Sequence, residues 1–324
     1  MGGGSYSYIE SHSRATEHYS KLSSDSIFKS ESRYTHKVAS DMDIKHKVRE
    51  ARDNEDHPNS FPIIIALDVT GSMGSIPENL IKKTFPEMMN KIYEAGVPDP
   101  QVCFIGIGDT EFDDVPLQVG QFETNDQKLE HWLTSTYLEG GGGSNIGESY
   151  NLAWYFAARH TSTDSFEKRG KKGVLITIGD EPSLDCVHAN DIVNIFGDQA
   201  SEGITSRDML KEAQEAWDVY HINIKDYSGS QLSTQRYWSE ILDEKHLITS
   251  TTQHGYSHGE DVADLIADIV IKSYADDENV NVVTNAEGKH TTSFQDMIET
   301  MLAAQLAQNM LNSGEAVSDT DIPE

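Results

Sequence analysis

The period of the hydrophobic positions changes along the chain. From Phe61 to about Tyr274, short continuous apolar runs alternate with amphipathic stretches. Phe61-Pro62-Ile63-Ile64-Ile65-Ala66-Leu67 is a β-branched run closed by Asp68. An unbroken apolar run of that length suits a strand buried on both faces. Residues 102–107, 115–119, 174–178, 219–224 and 247–250 read as further strands. Between them, 77–93 carries Leu80, Ile81, Phe85, Met88, Met89 and Ile92 at helical spacing, and 129–138, 146–159, 192–196, 208–216 and 261–274 also read as helices. Strands alternating with helices predict an α/β fold: a doubly wound, mostly parallel central sheet flanked by helices, with extensions at both ends.

The flanks lack this alternation. Residues 1–60 form a polar N-terminal arm with 9 basic and 10 acidic residues, so the arm is nearly neutral. Within it, 36–52 predicts a charged helix with Val38, Met42 and Val48 on a thin apolar stripe. Five of the 13 histidines lie in the arm without metal-ligand spacing and read as surface polarity. Residues 61–275 form the predicted α/β domain. Residues 276–324 form an acidic C-terminal extension with ten acidic residues and one basic residue. One amphipathic helix is expected there, over 294–311, either folded back on the chain or offered to a partner's groove.

Charge narrows the function classes. The 324 residues carry 25 Lys and Arg against 54 Asp and Glu, a formal charge of 25 − 54 = −29. Phosphate backbones and anionic membrane surfaces repel such a chain, which argues against nucleic-acid and membrane partners. Two cysteines, Cys103 and Cys186, make no disulfide framework and suit a reducing compartment. No apolar run is long enough for a membrane span, and the N-terminus lacks a signal-peptide pattern. The expectation is a soluble cytoplasmic protein.

Three polar clusters follow or join the predicted strands, where an open parallel sheet binds its ligands. They are Asp68-Val69-Thr70-Gly71-Ser72, the loop Gly140-Gly141-Gly142-Gly143-Ser144-Asn145, and Asp180-Glu181. Two carboxylates and three hydroxyls can converge on one crevice, and an all-oxygen donor set suits a hard cation such as Mg²⁺.

These residues resemble the metal-ion-dependent adhesion site of von Willebrand factor A domains, whose sheet is Rossmann-like. Asp68-x-Thr70-x-Ser72 stands on the family's Asp-x-Ser-x-Ser, Ser144 on its loop threonine and Asp180 on its last aspartate. Thr70 and Ser144 are hydroxyl-for-hydroxyl changes, while Glu181 stands where the family commonly has glycine. The resemblance covers about residues 61–275. It implies Mg²⁺ or Mn²⁺ held by Asp68, Thr70, Ser72, Ser144 and Asp180, and a protein ligand supplying an acidic residue to the open coordination position. It also implies an adaptor or scaffold role in a larger complex, with a MoxR-type AAA+ ATPase as a partner.

Other signals fare less well. Gly142-x-x-x-x-Gly147-Glu148-Ser149 has the spacing of a phosphate-binding loop, but Glu148 stands where that loop needs lysine and would repel phosphate. The alternative from another class is a metal-assisted hydrolase using the same acidic cleft, with Asp180, Glu181 or Asp109. No histidine lies in the three loops to act as a base. Asp109 and Asp113-Asp114 read as a solvated acidic loop. Trp154, Tyr155 and Phe156 read as core packing.

Overall fold

The structure is a computed structural model of the chain and describes residues 4–139, 147–225, 231–251 and 259–284. Its strands, among the described residues, are β1 (Arg49–Ala51), β2 (Phe61–Asp68), β3 (Pro100–Ile107), β4 (Leu117–Val119), β5 (Thr161–Thr163), β6 (Gly173–Gly179), β7 (Cys186–Val187), β8 (Ile204–Thr205), β9 (Trp217–Lys225) and β10 (Leu247–Thr251). Six of them form one sheet in the order β10-β9-β6-β2-β3-β4. Two small two-stranded sheets, β1-β5 and β7-β8, lie outside it.

The fold class is α/β, with a mixed sheet flanked by helices. Four of the five pairings in the main sheet are parallel, and β4 runs antiparallel to β3. Chain length explains the exception. Only residues 108–116 separate β3 from β4, and a parallel return needs a crossover of a dozen or more residues. The central β2 is buried along its whole length, as its continuous apolar run requires. Its register sets Asp68 opposite Ile107 of β3 and Leu67 opposite Ile178 of β6. The carboxyl ends of these three strands therefore finish level.

The helix predicted over 77–93 is present but interrupted. It runs Ile76–Asn79, then a π-helical turn Leu80–Thr84, then Phe85–Glu94. Pro86 has no N–H to continue the ladder, and the π turn passes over the missing bond. Asn125 caps the helix Asp126–Ser135, its side chain accepting the N–H groups of Gln127 and Lys128. Trp154, Tyr155 and Phe156, on the helix Tyr150–Arg159, are fully buried and pack in the core as expected.

The predicted helix over 36–52 is not formed. His36 and His46 adopt positive φ angles of 53° and 57°, and a left-handed residue at the start and another in the middle interrupt a helix running through 36–52. Met42 and Ile44 bury themselves instead, and Arg49–Ala51 pairs in parallel with Thr161–Thr163. The segment behaves as an extended strap rather than an amphipathic rod.

The rest of the arm is tied down by charge and aromatic contacts. Arg14 pairs with Asp126 and, at 2.7 Å, with Glu130, both carboxylates being almost wholly buried. Tyr6 stacks on Tyr93 with ring centres 5.4 Å apart. Backbone contacts group the chain into two compact units, Met1–Ser273 and Tyr274–Glu324. In the second unit the described residues, 274–284, continue the helix Gly259–Thr284. The helix expected over 294–311 lies outside the described residues. Among the described residues, no helix is long and apolar enough to cross a membrane.

Candidate functional site

The site grows from the end of β2. Asp68 is buried, and its Oδ1 accepts the Thr70 N–H at 2.8 Å and the Thr70 hydroxyl at 2.6 Å. Its Oδ2 accepts the Tyr150 hydroxyl at 3.1 Å. Burial pushes the Asp68 carboxyl well up, the Thr70 bonds hold it down, and Asp180 nearby pushes it up again. Past the turn, the exposed Ser72 donates its hydroxyl to Asp180 Oδ1 at 2.9 Å. Thr70 Oγ1 and Ser72 Oγ stand 3.2 Å apart. Four of the five residues picked from the sequence, Asp68, Thr70, Ser72 and Asp180, are thus linked side chain to side chain. The fifth, Ser144, lies outside the described residues.

The hydroxyls in this chain of contacts also reach the two aspartates. Thr70 gives its hydroxyl hydrogen to Asp68, and Ser72 gives its own to Asp180. The two hydroxyl oxygens lie 3.2 Å apart, within hydrogen-bond reach with either as donor, and a hydroxyl retains acceptor sites beside the hydrogen it donates. No Lys or Arg among the described residues pairs with Asp68. Lone pairs from neutral and anionic oxygens facing one point fit a hard cation.

A second ring of carboxylates surrounds this cluster. Glu181 Oε2 accepts the Gly147 N–H at 2.6 Å, and the backbones of Glu148, Pro182 and Leu184 bond to one another. Ser149 joins the same edge to the loop after β3, bonding to Gly108 O and accepting the Thr110 N–H. Asp109, read from the sequence as solvated, is only 2% exposed. Its Oδ1 accepts the Glu111 N–H, while its buried Oδ2 has no partner. Glu148 is 6% exposed, and its Oε2 also has no partner. Burial first, then repulsion from Asp68, Asp109, Asp113 and Glu181, pushes the Glu148 carboxyl up to about 10.

Beneath the carboxylates lies an aromatic floor that sequence reasoning missed. His221 of β9 stacks on Trp238 at 3.5 Å and 13°, and Tyr150 meets both rings edge-on. Thr177 Oγ1 and His221 Nδ1 are 2.9 Å apart, and Trp238 donates its indole N–H to Glu181 O. Gly179 ends β6 against Tyr150: a Cβ there would come within 1.7 Å of the phenol oxygen. The available signal was the position of Tyr150, the first residue of the helix that follows the glycine-rich loop. From there its side chain points back toward the strand ends.

No family model matches the chain, and no curated protein matches it. Among solved structures, it is similar to the pilus adhesin SpaC from Lactobacillus rhamnosus GG in its open conformation. That match has 13% identity and a TM-score of 0.45, covering 71% of this chain and 31% of that one. A second structure of the same adhesin matches at 13% identity and a TM-score of 0.42, covering 71% and 32%. The chain spans about a third of the length of these structures.

The resemblance to von Willebrand factor A domains is corrected by these findings. No family model supports the assignment. Among the described residues, no group of three or more His, Cys, Asp or Glu side chains is placed to hold a metal. Only Asp68 and Asp180 reach the cluster of hydroxyls, and the other carboxylates are tied into loops around it. The family name and its named adhesion site are withdrawn.

Proposed function

We propose that the chain is a protein-binding module whose contact with its partner depends on a divalent cation. Asp68, Thr70, Ser72 and Asp180 would hold the cation, and Ser144 is the fifth residue of the set. The reading rests on the residues of this edge and not on a family. The single observation that carries it is the 3.2 Å approach of Thr70 Oγ1 and Ser72 Oγ, each of them also bonded to an aspartate oxygen. Bound there, Mg²⁺ or Mn²⁺ supplies a Lewis-acidic point to which a carboxylate of another protein can attach. The side chains of this chain orient that point. Tyr150 fixes Oδ2 of Asp68, and the Thr70 N–H fixes Oδ1. The charge of −29 makes nucleic acid and anionic membranes poor partners. The free thiols Cys103 and Cys186 support a reducing compartment such as the cytoplasm.

Calorimetric titration with Mg²⁺ tests the proposal. The wild type is expected to give a saturable heat, and Asp68→Ala and Ser72→Ala are expected to lose it while keeping their folded circular-dichroism spectra. Equal heats from all three proteins would reject the reading.

A further inference from the structure

A groove of about 430 Å³ opens between the arm, the loop leading into β4 and the segment 191–195. Its volume falls within the range of ligand-binding clefts. The apolar part of the lining comes from Val38, Ile44, Val115, Pro116, Leu117 and Ile195. Charge is divided among the walls. The arm contributes Lys37 and Lys45 together with Asp43, whose Oδ1 accepts the Lys45 N–H at 2.9 Å, and the other two segments contribute Asp114 and Asp191. Asp114 is engaged by His36 at 2.7 Å. Neither lysine ammonium forms an ion pair with a described residue. In a chain with 29 excess negative charges, two unpaired cations beside an apolar floor call for an anionic group at that wall.

Exposed apolar side chains flank the lining segments along the chain. Each wall segment carries a large exposed hydrophobic side chain: Tyr34 (83% exposed) ahead of His36, Phe112 (52%) between Thr110 and Asp114, and Val193 (42%) between Asp191 and Asn194. Six such residues occur among the described ones, and half of them lie within two residues of a lining position along the chain. Exposed apolar surface rimmed by charge marks interaction sites. A small molecule would fill the groove and leave these three uncovered, whereas an extended polypeptide would reach them.

We propose that the groove docks an extended segment of a partner protein in which an apolar residue is flanked by an acidic residue on one side and a basic residue on the other. The apolar side chain sits on Ile44, Val115, Leu117 and Ile195. The acidic residue meets Lys37 and Lys45, and the basic residue faces Asp191. The contact needs no cation and stands apart from the proposed role of Asp68.

The test uses the full chain in the presence of chelator, so that its outcome is separate from cation binding. The probes are fluorescein-labelled, end-blocked heptapeptides centred on Glu-Leu-Lys and on Lys-Leu-Glu, read by anisotropy. At least one is expected to bind saturably, and replacing its leucine by serine to weaken binding at least fivefold. The double variant Lys37→Glu/Lys45→Glu lies on exposed positions and is expected to keep its melting temperature. It should bind the same peptide about tenfold more weakly and prefer a Lys-Leu-Lys probe to the original. Absence of saturable binding by every probe, or equal affinity in wild type and the double variant, would overturn the proposal.

Discussion

Glu148→Gln is expected to stabilise the protein at neutral pH. Glu148 is buried at the carboxyl edge of the sheet, its Oε2 has no hydrogen-bond partner, and its carboxyl is raised from 4.5 to about 10. In the unfolded chain the group ionises near 4.5, while in the folded chain it keeps its proton. Between those values the native state binds more protons than the unfolded state, so this group's contribution to stability falls as pH rises. It is fully present below 4.5 and is lost progressively up to about 10. At about 1.4 kcal/mol per pH unit, the loss reaches about 3 kcal/mol by pH 7. Glutamine has the same shape and cannot ionise, so the variant escapes that loss. Urea denaturation at pH 5, 7 and 8 measures the difference. The variant is expected to exceed the wild type by about 1–3 kcal/mol at pH 7, with a smaller gap at pH 5 and a larger one at pH 8. A variant no more stable than the wild type at pH 7, or a gap that does not widen with pH, refutes the reasoning.

His221 should act in the opposite sense. Burial lowers its pKa well below 6.5, so its neutral form supports folding above 6.5 and that support is lost as pH falls. His221→Phe, still able to stack on Trp238, should gain on the wild type by about 1 kcal/mol per unit below pH 6 in the same urea series. Arg14→Ala leaves the buried Asp126 and Glu130 carboxylates without their cation. A loss of about 3–5 kcal/mol is expected, together with faster tryptic cleavage between residues 14 and 37. Gly179→Ala drives a methyl group onto the Tyr150 phenol. Overpacking in a filled core costs about 1–3 kcal/mol. The melting temperature should fall, and the Asp68 bond from Tyr150 should be lost.

The order of strands and helices was legible because buried parallel strands need continuous apolar runs, as in Phe61–Asp68. The antiparallel β4 was legible only from the shortness of its connection, which periodicity does not register. The strap at 36–52 misled for a related reason. Val38, Met42 and Val48 satisfy a helical period, yet the segment's course is set by tertiary burial of Ile44 and by pairing with Thr161–Thr163. At the site, Asp68, Thr70, Ser72 and Asp180 stood out because strand-end positions concentrate oxygen donors. Tyr150, His221 and Trp238 did not, since an aromatic side chain in an apolar helix or strand looks the same whether it supports a core or a carboxylate. The Glu148 carboxylate was visible only as a reason to reject phosphate. Its buried and unpartnered state depends on three loops meeting, which no local pattern encodes.

The carboxylates at this edge divide by how many donors each one meets. Asp68 accepts three hydrogen bonds, two from Thr70 and one from Tyr150, which favour its ionised form against burial. Asp109 is fixed on one oxygen by the Glu111 N–H. Glu148 faces the same crowd of negative charge with its Oε2 unpartnered. When like charges share a small volume, the proton goes to the group that loses least by being neutral, and here that is Glu148. The division has a functional consequence. With Glu148 neutral, Asp68 is spared one repulsive neighbour and can stay an acceptor. The negative potential then centres on Asp68 and Asp180, beside the two hydroxyl lone pairs, rather than spreading over the whole edge. Any positively charged group approaching the carboxyl ends of β2 and β6 is therefore drawn to the point where Thr70 and Ser72 meet.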